Sequence, residues 1–279
     1  MFAPLADAEV DPGPGTRVTP NISPSIPMTI KLHQFPPVWE RNPSPFTLKL
    51  ETWLKLAGLP FEVVPVRSPK KGPKGKLPFI EDEDGTVIGD STLIVEHLRR
   101  TRGVDPDAGL DPDAGLDPVQ RAEALAVQRL FEEHFYFILS YSRWIDPDGW
   151  RTVRPAYFAF LPPGLRETLP WLIRARVRRD LVAQGAARHD RDDLYAMGRA
   201  DLEAVSILLN DGPFFFRDRP TTIDAVAYGF LANLLLVPVE TGLKRIGREY
   251  ANLFAFCQAM ERRLGGTAEA GTAFATAAK

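Results

Sequence analysis

The sequence predicts a two-domain protein, with a mixed α/β domain over residues 28–103 and an all-α domain over residues 119–279. Strand patterns alternate with helical patterns up to about residue 100, whereas only helical patterns follow residue 119. An acidic stretch rich in Pro and Gly separates the two parts, over residues 104–118. The length of 279 residues agrees with this division, because a typical domain has about 100–200 residues.

Composition and charge exclude several classes of protein. Lys and Arg number 34 and Asp and Glu 36, so the net charge of -2 offers no electrostatic attraction to nucleic acid or to an anionic membrane. The single cysteine, Cys257, excludes an internal disulfide and is typical of a reducing compartment. The longest apolar run, residues 225–239, is shorter than the roughly 20 residues of a spanning helix. We therefore expect a soluble cytoplasmic protein that binds no nucleic acid and has no membrane span.

Residues 1–27 are expected to be a disordered leader. They contain six prolines and the acidic residues Asp7, Glu9 and Asp11, and they lack the basic start and apolar centre of a signal peptide. Met28 directly precedes the first strand pattern, so an internal start at this residue, without the leader, is an alternative hypothesis.

The elements of the first domain follow from its patterning. Ile30 and Leu32 alternate with polar neighbours, which predicts a strand over residues 29–35. Ser44 followed by Pro45 is a typical helix start, since hydroxyl side chains cap helices and proline suits the first helical position. The remaining predicted elements are the body of this helix, which ends at Gly58, strands over 61–66, 77–81 and 86–88, and a helix over 92–100.

The second domain follows a tandem repeat. The hexapeptide Asp-Pro-Asp-Ala-Gly-Leu occurs twice over residues 105–116, and we interpret it as a linker because no solenoid unit is so short. Thr221 and Asp224 have the spacing of a reciprocal helix cap, so their expected role is structural. Helices are predicted over residues 119–144, 165–184, 194–209, 221–237 and 250–264.

Five motifs give the chain its resemblance to a known family. They are residues 44–51, the pair Leu77-Pro78, the pair Asp90-Ser91, Gln184-Gly185 with Arg188-His189, and Asn252-Leu253. With the order of the elements, they resemble the glutathione transferase superfamily, and more narrowly its branch of metaxins and failed-axon-connections proteins. The resemblance extends over roughly residues 28–264. It implies a thioredoxin-like α/β N-terminal domain followed by an all-α C-terminal domain.

The resemblance also implies a glutathione site in the first domain. Ser44 lies where the superfamily presents a Ser, Cys or Tyr to the glutathione sulfur, and a helix N-terminus favours the anionic thiolate. Leu77 and Pro78 match the cis-proline turn that aligns the tripeptide. Asp90 and Ser91 match the site that holds its γ-glutamyl end, where a helix N-terminus meets a carboxylate and the acidic side chain meets an ammonium group.

Each of these roles has a structural alternative that the sequence leaves open. Ser44 is a good helix cap without any ligand, and Asp90 or Ser91 could cap the second helix. Thr47 stands where redox members of the superfamily carry a second cysteine. Neither Ser44 nor Thr47 can form a mixed disulfide, so thiol-disulfide exchange is not expected.

A second-substrate pocket is expected between the domains. The aromatic segment over residues 131–144 would supply an apolar wall, and Tyr136 or Tyr141 a hydroxyl donor, although most of these rings are expected in the core. His134 and His189 have no partner at the spacing of metal ligands, so no metal site is expected.

The resemblance therefore implies a glutathione transferase-like enzyme, with glutathione as co-substrate and a small electrophile as its partner substrate. The expected chemistry is conjugation to the electrophile or its reduction, and peroxidase or isomerase chemistry is a weaker alternative. A homodimer is a further family expectation. The principal alternative is a non-catalytic, metaxin-like binding or assembly module.

Overall fold

The computed structural model describes residues 29–102, 111–216 and 218–271, with side chains up to residue 265. The expected leader over residues 1–27 and the first copy of the hexapeptide lie outside the described residues. Within them the chain forms a small mixed sheet flanked by helices and then a bundle of helices, so the predicted fold class is confirmed.

The N-terminal domain is built on a four-stranded sheet. The strands lie in the order β2-β1-β3-β4, with β1 parallel to β2, and β3 antiparallel to both β1 and β4. The elements of this domain are β1 (Ile30–Gln34), α1 (Pro45–Leu56), β2 (Phe61–Pro65), β3 (Phe79–Glu81), β4 (Val87–Gly89) and α2 (Ser91–Thr101).

One face of α1 is fixed on this sheet. Leu50, Trp53 and Leu54 of α1 are fully buried, and they belong to one apolar cluster with Leu32 of β1 and Ile80 of β3. Complete burial of one such side chain contributes about 1.5–3 kcal/mol to stability. Packing of this face therefore fixes the position of the whole helix, including its N-terminus.

In the described residues, all regular secondary structure of the C-terminal domain is helical. A π-helical segment (Leu130–Phe135) joins α3 to α4 in one continuous rod. None of the described helices is both long enough and apolar enough to cross a membrane. The helices are α3 (Pro118–Arg129), α4 (Tyr136–Trp144), α5 (Pro147–Tyr157), α6 (Leu165–Gln184), α7 (Arg191–Leu209), α8 (Thr222–Leu235), α9 (Gly242–Gly247) and α10 (Ala251–Gly271).

Two of these helices, α5 and the short α9, are not predicted by the sequence patterns. Pro147 occupies the first helical position of α5, where proline is tolerated, and Pro155 lies inside the helix. Gly149 lies where α5 contacts α4, because a Cβ atom at this position would be 1.9 Å from the carbonyl oxygen of Ser142. Close packing of α5 on α4 explains this glycine.

α8 connects the two domains. It is buried from Ile223 to Leu235, and its Ala225 belongs to the apolar core of the N-terminal domain. Phe230 of α8 packs on Phe46 of α1 with ring centroids 5.4 Å apart. The arrangement of the two domains is therefore set by direct contact between α1 and α8.

The second copy of the hexapeptide is anchored by its acidic side chains. Asp111 and Asp113 both accept hydrogen bonds from the Arg99 guanidinium of α2. Asp113 also accepts the backbone N–H of Thr222, at the start of α8, at 2.7 Å. These bonds attach residues 111–113 to both domains.

Candidate functional site

Three segments that carry predicted site residues meet at one end of the sheet. His33, near the end of β1, pairs with Phe79 at the start of β3, and Phe79 pairs with Gly89 at the end of β4. The segments after β1, before β3 and after β4 therefore leave the sheet at the same edge. They lead to Ser44, to Leu77 and Pro78, and to Asp90 and Ser91.

Ser44 is half-buried at the N-terminus of α1. Its Oγ accepts a hydrogen bond from the backbone N–H of Thr47 at 3.4 Å, so the predicted helix cap is present. The cap uses Oγ as an acceptor and leaves the hydroxyl hydrogen available to a ligand. The structural role and the functional role of Ser44 are therefore compatible.

Phe35 connects Ser44 to the proline turn. Asn42 accepts the Ser44 N–H at 3.0 Å and donates its side-chain N–H to the Phe35 carbonyl oxygen at 2.8 Å. The Phe35 ring packs on a small apolar cluster that includes Leu77. Leu77 and Pro78 are buried, and the peptide bond between them is cis. The 42–44 loop and the proline turn are thus held on the same residue.

Asp90 has a strained backbone, and only one of its two carboxylate oxygens accepts hydrogen bonds from the described residues. Its φ of 92° lies in the left-handed region, which costs a residue other than glycine about 1–3 kcal/mol. Oδ1 caps α2 by accepting the N–H groups of Thr92 at 2.9 Å and of Leu93 at 3.2 Å. Oδ2 has no partner among the described residues, and the side chain is exposed. One oxygen can therefore accept an ammonium group, while buried Ser91 begins the helix.

A buried polar network lies directly behind Asp90. The ammonium group of Lys49 on α1 donates to Glu132 at 2.6 Å and to the Thr92 hydroxyl at 3.0 Å. Gln128 donates to the same two groups, at 3.1 Å to Thr92 and at 3.0 Å to Glu132. Burial lowers the pKa of Lys49, and the negative charges of Glu132 and Asp90 oppose that change. The N-termini of α1 and α2 are thus tied to the π-helical segment of the other domain.

The two tyrosines predicted for the second-substrate pocket lie in different surroundings. The Tyr136 ring meets the Phe46 ring of α1 edge-on, with centroids 4.9 Å apart, so it lies beside the helix that Ser44 begins. Tyr141 instead packs against Tyr195 of α7, at 6.3 Å, inside the helical domain. Burial raises the pKa of both phenols, so both stay protonated at neutral pH.

The segment from α5 to residue 161 packs against the N-terminal domain near the same edge of the sheet. Tyr157 contacts Trp39, in the loop after β1, with ring centroids 5.7 Å apart. The guanidinium of Arg67, just after β2, lies 4.8 Å from the ring centroid of Phe160. This segment therefore borders the candidate site, where Ser44 remains half-buried.

Two cavities of the described structure lie away from the predicted residues. One of about 310 Å³ is lined by residues including Asp146, Arg191 and Tyr195, and one of about 160 Å³ by His134 and His189 among others. Neither lining includes a residue predicted for the glutathione site. In the part of the chain that the structure describes, no group of three or more His, Cys, Asp or Glu could hold a metal ion.

Cys257 lies in the core of the helical domain. It is completely buried, and burial raises the pKa of its thiol. The interpretation of this residue as a small core side chain, and not as a nucleophile, agrees with its position.

The motifs in the sequence do not reveal the buried polar residues that hold the site in place. Lys49, Glu132, Arg143 and Asn233 are all buried, and most of their bonds join residues far apart in the chain. A lysine between two leucines in Leu48-Lys49-Leu50 was the only local signal, because a charge at the edge of an apolar face requires a partner.

Solved structures share this architecture. The beta-etherase LigF from Sphingobium sp. strain SYK-6 aligns with a TM-score of 0.58 and 19% identity, over 87% of this chain and 100% of that chain. A glutathione S-transferase from Methylobacillus flagellatus KT, with glutathione bound, aligns with a TM-score of 0.52 and 16% identity, over 86% and 98% of the two chains. At these identities the likeness concerns the fold alone.

Similarity in sequence is more specific. The isoprene-epoxide–glutathione S-transferase of Rhodococcus sp. (strain AD45) is 34% identical over 76% of this chain and 89% of that protein. Failed axon connections of Drosophila melanogaster is 33% identical over 68% of this chain, which spans about half of that protein, at 46%. Metaxin-1 of Macaca fascicularis is 29% identical over 76% of this chain and 67% of that protein.

Family models give the same result for both domains. The model of the glutathione S-transferase N-terminal domain matches residues 45–149, and that of the C-terminal domain matches residues 198–260. The resemblance stated from the five motifs is therefore confirmed. This chain belongs to the glutathione S-transferase family, in the branch that contains the metaxins and failed axon connections.

Proposed function

We propose that this chain binds glutathione at the sheet edge of its N-terminal domain and activates the thiol for reaction with a small electrophile. The observation that carries the proposal is the register of β1, β3 and β4, because the three segments with predicted site residues leave the sheet at one edge. A hydroxyl at a helix N-terminus, a proline turn and a carboxylate with one free oxygen then follow or precede strands at that edge, and together they suit the groups of glutathione.

Ser44 is proposed to stabilise the thiolate. A free thiol has a pKa of about 8.5, so an enzyme working at neutral pH must favour the anion. The hydroxyl hydrogen left available by the cap would be donated to the sulfur, and the dipole of α1 adds positive potential at the same place. Ser44 therefore offers the hydrogen-bond donor that the glutathione thiolate requires.

The other site residues are proposed to hold the tripeptide. Leu77 and Pro78 would align its backbone, while Asp90 Oδ2 accepts the ammonium group of the γ-glutamyl end and the N-terminus of α2 at Ser91 receives its carboxylate. Exposed lysines of the preceding loop, Lys74 and Lys76, add positive charge that suits an anionic peptide.

A small epoxide is the proposed first electrophile to test, because the Rhodococcus relative is named for an isoprene epoxide. The thiolate would form a C–S bond with a ring carbon, the C–O bond would break, and the alkoxide would take a proton. Tyr136, which is protonated and lies beside α1, is the proposed donor of that proton. Tyr141 contacts Tyr195 inside the helical domain, so its proposed role is to hold the Tyr195 ring in position.

Calorimetric titration with glutathione tests the proposal directly. We expect saturable binding to the full chain and weaker binding to Asp90→Asn, a change that keeps a capping side chain but removes the charge. Asp84→Asn is the matched control, because Asp84 is an exposed carboxylate that caps a turn within the β3–β4 hairpin. Equal weakening by both variants would contradict the assignment of Asp90.

Absence of binding at millimolar glutathione would instead support the assembly module. That alternative rests on the metaxin relatives and on the segment from α5 to residue 161, which borders the site through Tyr157 and Phe160. Family membership also suggests a homodimer in the cytoplasm, and sedimentation of the purified chain tests the dimer.

A further inference from the structure

Arg143 of α4 is a buried cation without a carboxylate partner. The residue is only 5% exposed. Its Nη1 donates to the Pro43 carbonyl oxygen at 2.9 Å and to the Tyr157 hydroxyl at 3.1 Å. Its Nη2 donates to the side-chain oxygen of Asn233 at 2.9 Å and to the backbone carbonyl oxygen of the same residue. Among the described residues, no carboxylate lies within ion-pair distance of this guanidinium.

Such a charge is unusual inside a protein. Buried cations are normally paired with an anion, because removing a charge from water is costly and neutral acceptors repay only part of that cost. Every acceptor of Arg143 is neutral, and its Nε has no partner in the described structure. The folded protein therefore carries a positive charge at this place that nothing in the described chain neutralises.

The position of this charge is specific. Pro43, whose carbonyl oxygen it binds, directly precedes Ser44. Asn233 donates to the carbonyl oxygen of Asn42 at 3.2 Å, and the Asn42 side chain accepts the Ser44 N–H. Arg143 and Asn233 together hold the 42–44 loop from behind, by bonds that cross from the helical domain to the N-terminal domain.

The field of Arg143 reaches the ionisable side chains around it. Burial raises the pKa of the Tyr136 and Tyr157 phenols, and the positive charge of Arg143 opposes that rise in both. Tyr136 belongs to α4 itself and Tyr157 to α5, so the charge favours anionic groups on two of the elements near Ser44.

We propose that the missing counter-charge of Arg143 is the thiolate of bound glutathione. Arg143 acts as a positioning residue, which fixes the 42–44 loop and holds a permanent positive charge behind Ser44. A charge that is already in place stabilises a developing anion without any reorganisation, and it does so strongly in a site that excludes water. This inference rests on the proposed function, since it requires glutathione in the site.

The test measures the pKa of the glutathione thiol in the complex, from the ultraviolet absorbance of the thiolate as the pH is changed. For the full chain carrying Arg143→Met we expect a rise of about one unit or more, whereas Arg143→Lys, which keeps the charge, stays close to the wild type. Asn233→Asp provides an independent variant that adds an internal carboxylate beside Nη2, and we expect it to raise the thiol pKa as well.

Lys244→Met is the matched control for loss of a buried cation. Lys244 is 3% exposed in the helical domain, where it donates to the Val237 carbonyl oxygen and pairs with Glu240 at 2.9 Å, and neither bond involves the 42–44 loop. We expect this variant to lose stability and to keep the wild-type thiol pKa. Thermal unfolding of each variant identifies those that fold.

The outcomes separate this inference from the function on which it rests. Binding by Arg143→Met or Asn233→Asp with an unchanged thiol pKa would overturn the inference and leave glutathione binding intact. A wild-type thiol pKa equal to that of free glutathione would overturn both this inference and the proposed stabilisation of the thiolate by Ser44, and would leave glutathione binding intact. No binding to the wild type would overturn both the proposed function and this inference.

Discussion

A Cβ atom at Gly229 of α8 would lie 2.6 Å from the backbone carbonyl oxygen of Pro45 in α1. It would also lie 2.9 Å from the backbone nitrogen of Lys49, so the two helices touch backbone to backbone over the first turns of α1. This contact sets the distance between the helix that begins at Ser44 and the helical domain. No side chain larger than hydrogen fits unless one of the helices moves.

Gly229→Ala is therefore expected to reduce the free energy of unfolding by about 1–3 kcal/mol, the usual cost of overpacking a close contact. Urea denaturation measures the loss. Gly265→Ala in α10 is the control, because a Cβ atom there meets nothing within 4 Å, and helix propensity alone predicts a small gain. Equal stability of Gly229→Ala and the wild type would show that α1 and α8 are not in close contact.

The buried pair of Lys49 and Glu132 gives a second prediction. Lys49→Met leaves the Glu132 carboxylate buried without its cation and is expected to cost about 3–5 kcal/mol of stability. Replacing both residues by apolar ones should restore much of that loss, and a double-mutant cycle measures the coupling.

Lys55→Met serves as the comparison for this cycle. Lys55 pairs with Glu51 at 2.9 Å on the exposed side of α1, and loss of such a pair costs about 0.5 kcal/mol or less. Similar losses for Lys49→Met and Lys55→Met would contradict the buried position of Lys49.

The buried carboxylate of Asp224 is expected to make the free energy of unfolding depend on pH. Its carboxylate is buried and accepts the Thr221 N–H at 2.7 Å and the Phe215 N–H at 2.9 Å, and burial raises its pKa from 3.8 to about 6. Because the folded pKa exceeds the unfolded one, its contribution to stability is complete below about pH 4 and is lost as the pH rises through about 6. The loss is about 3 kcal/mol for a shift of about two units.

Asp224→Asn removes this titration and provides the measurement. The difference in free energy of unfolding between wild type and Asp224→Asn should fall between pH 4 and pH 7, because asparagine does not titrate in that range. At every pH the variant is also expected to lose the bond from Phe215 or that from Thr221, since its amide has one acceptor oxygen. A constant difference over this range would contradict the raised pKa.

Ser44→Ala tests the role of the hydroxyl. Without its donor the bound thiolate is less stable, so the pKa of the glutathione thiol in the complex is expected to rise, and turnover of a small electrophile to fall about 100-fold. Loss of the helix cap adds about 1 kcal/mol of instability. Ser44→Thr keeps both the cap and the hydroxyl, so it should retain the low thiol pKa. Full activity of Ser44→Ala would exclude Ser44 as the donor.

Local patterns were sufficient wherever neighbouring residues decide the structure. Ser44 and Pro45 start α1 as predicted, because a cap and a first-position proline act within one helical turn. Asp224 accepts the Thr221 N–H as the reciprocal spacing predicts. α5 is absent from the predicted helices, and only its contact with α4 explains Gly149.

The amino-acid sequence was sufficient to predict the order of the elements in the N-terminal domain, the fold class and the family, because these follow from short-range periodicity and from motifs that need no partner. The surroundings of Ser44 depend on long-range packing: the contact of Gly229 with Pro45, the burial of Lys49 beside Glu132, and the guanidinium of Arg143 behind Pro43. Each of these joins residues that lie about 80 or more positions apart. The energy of a buried charge depends on what other segments bring to it, and no local pattern carries that information.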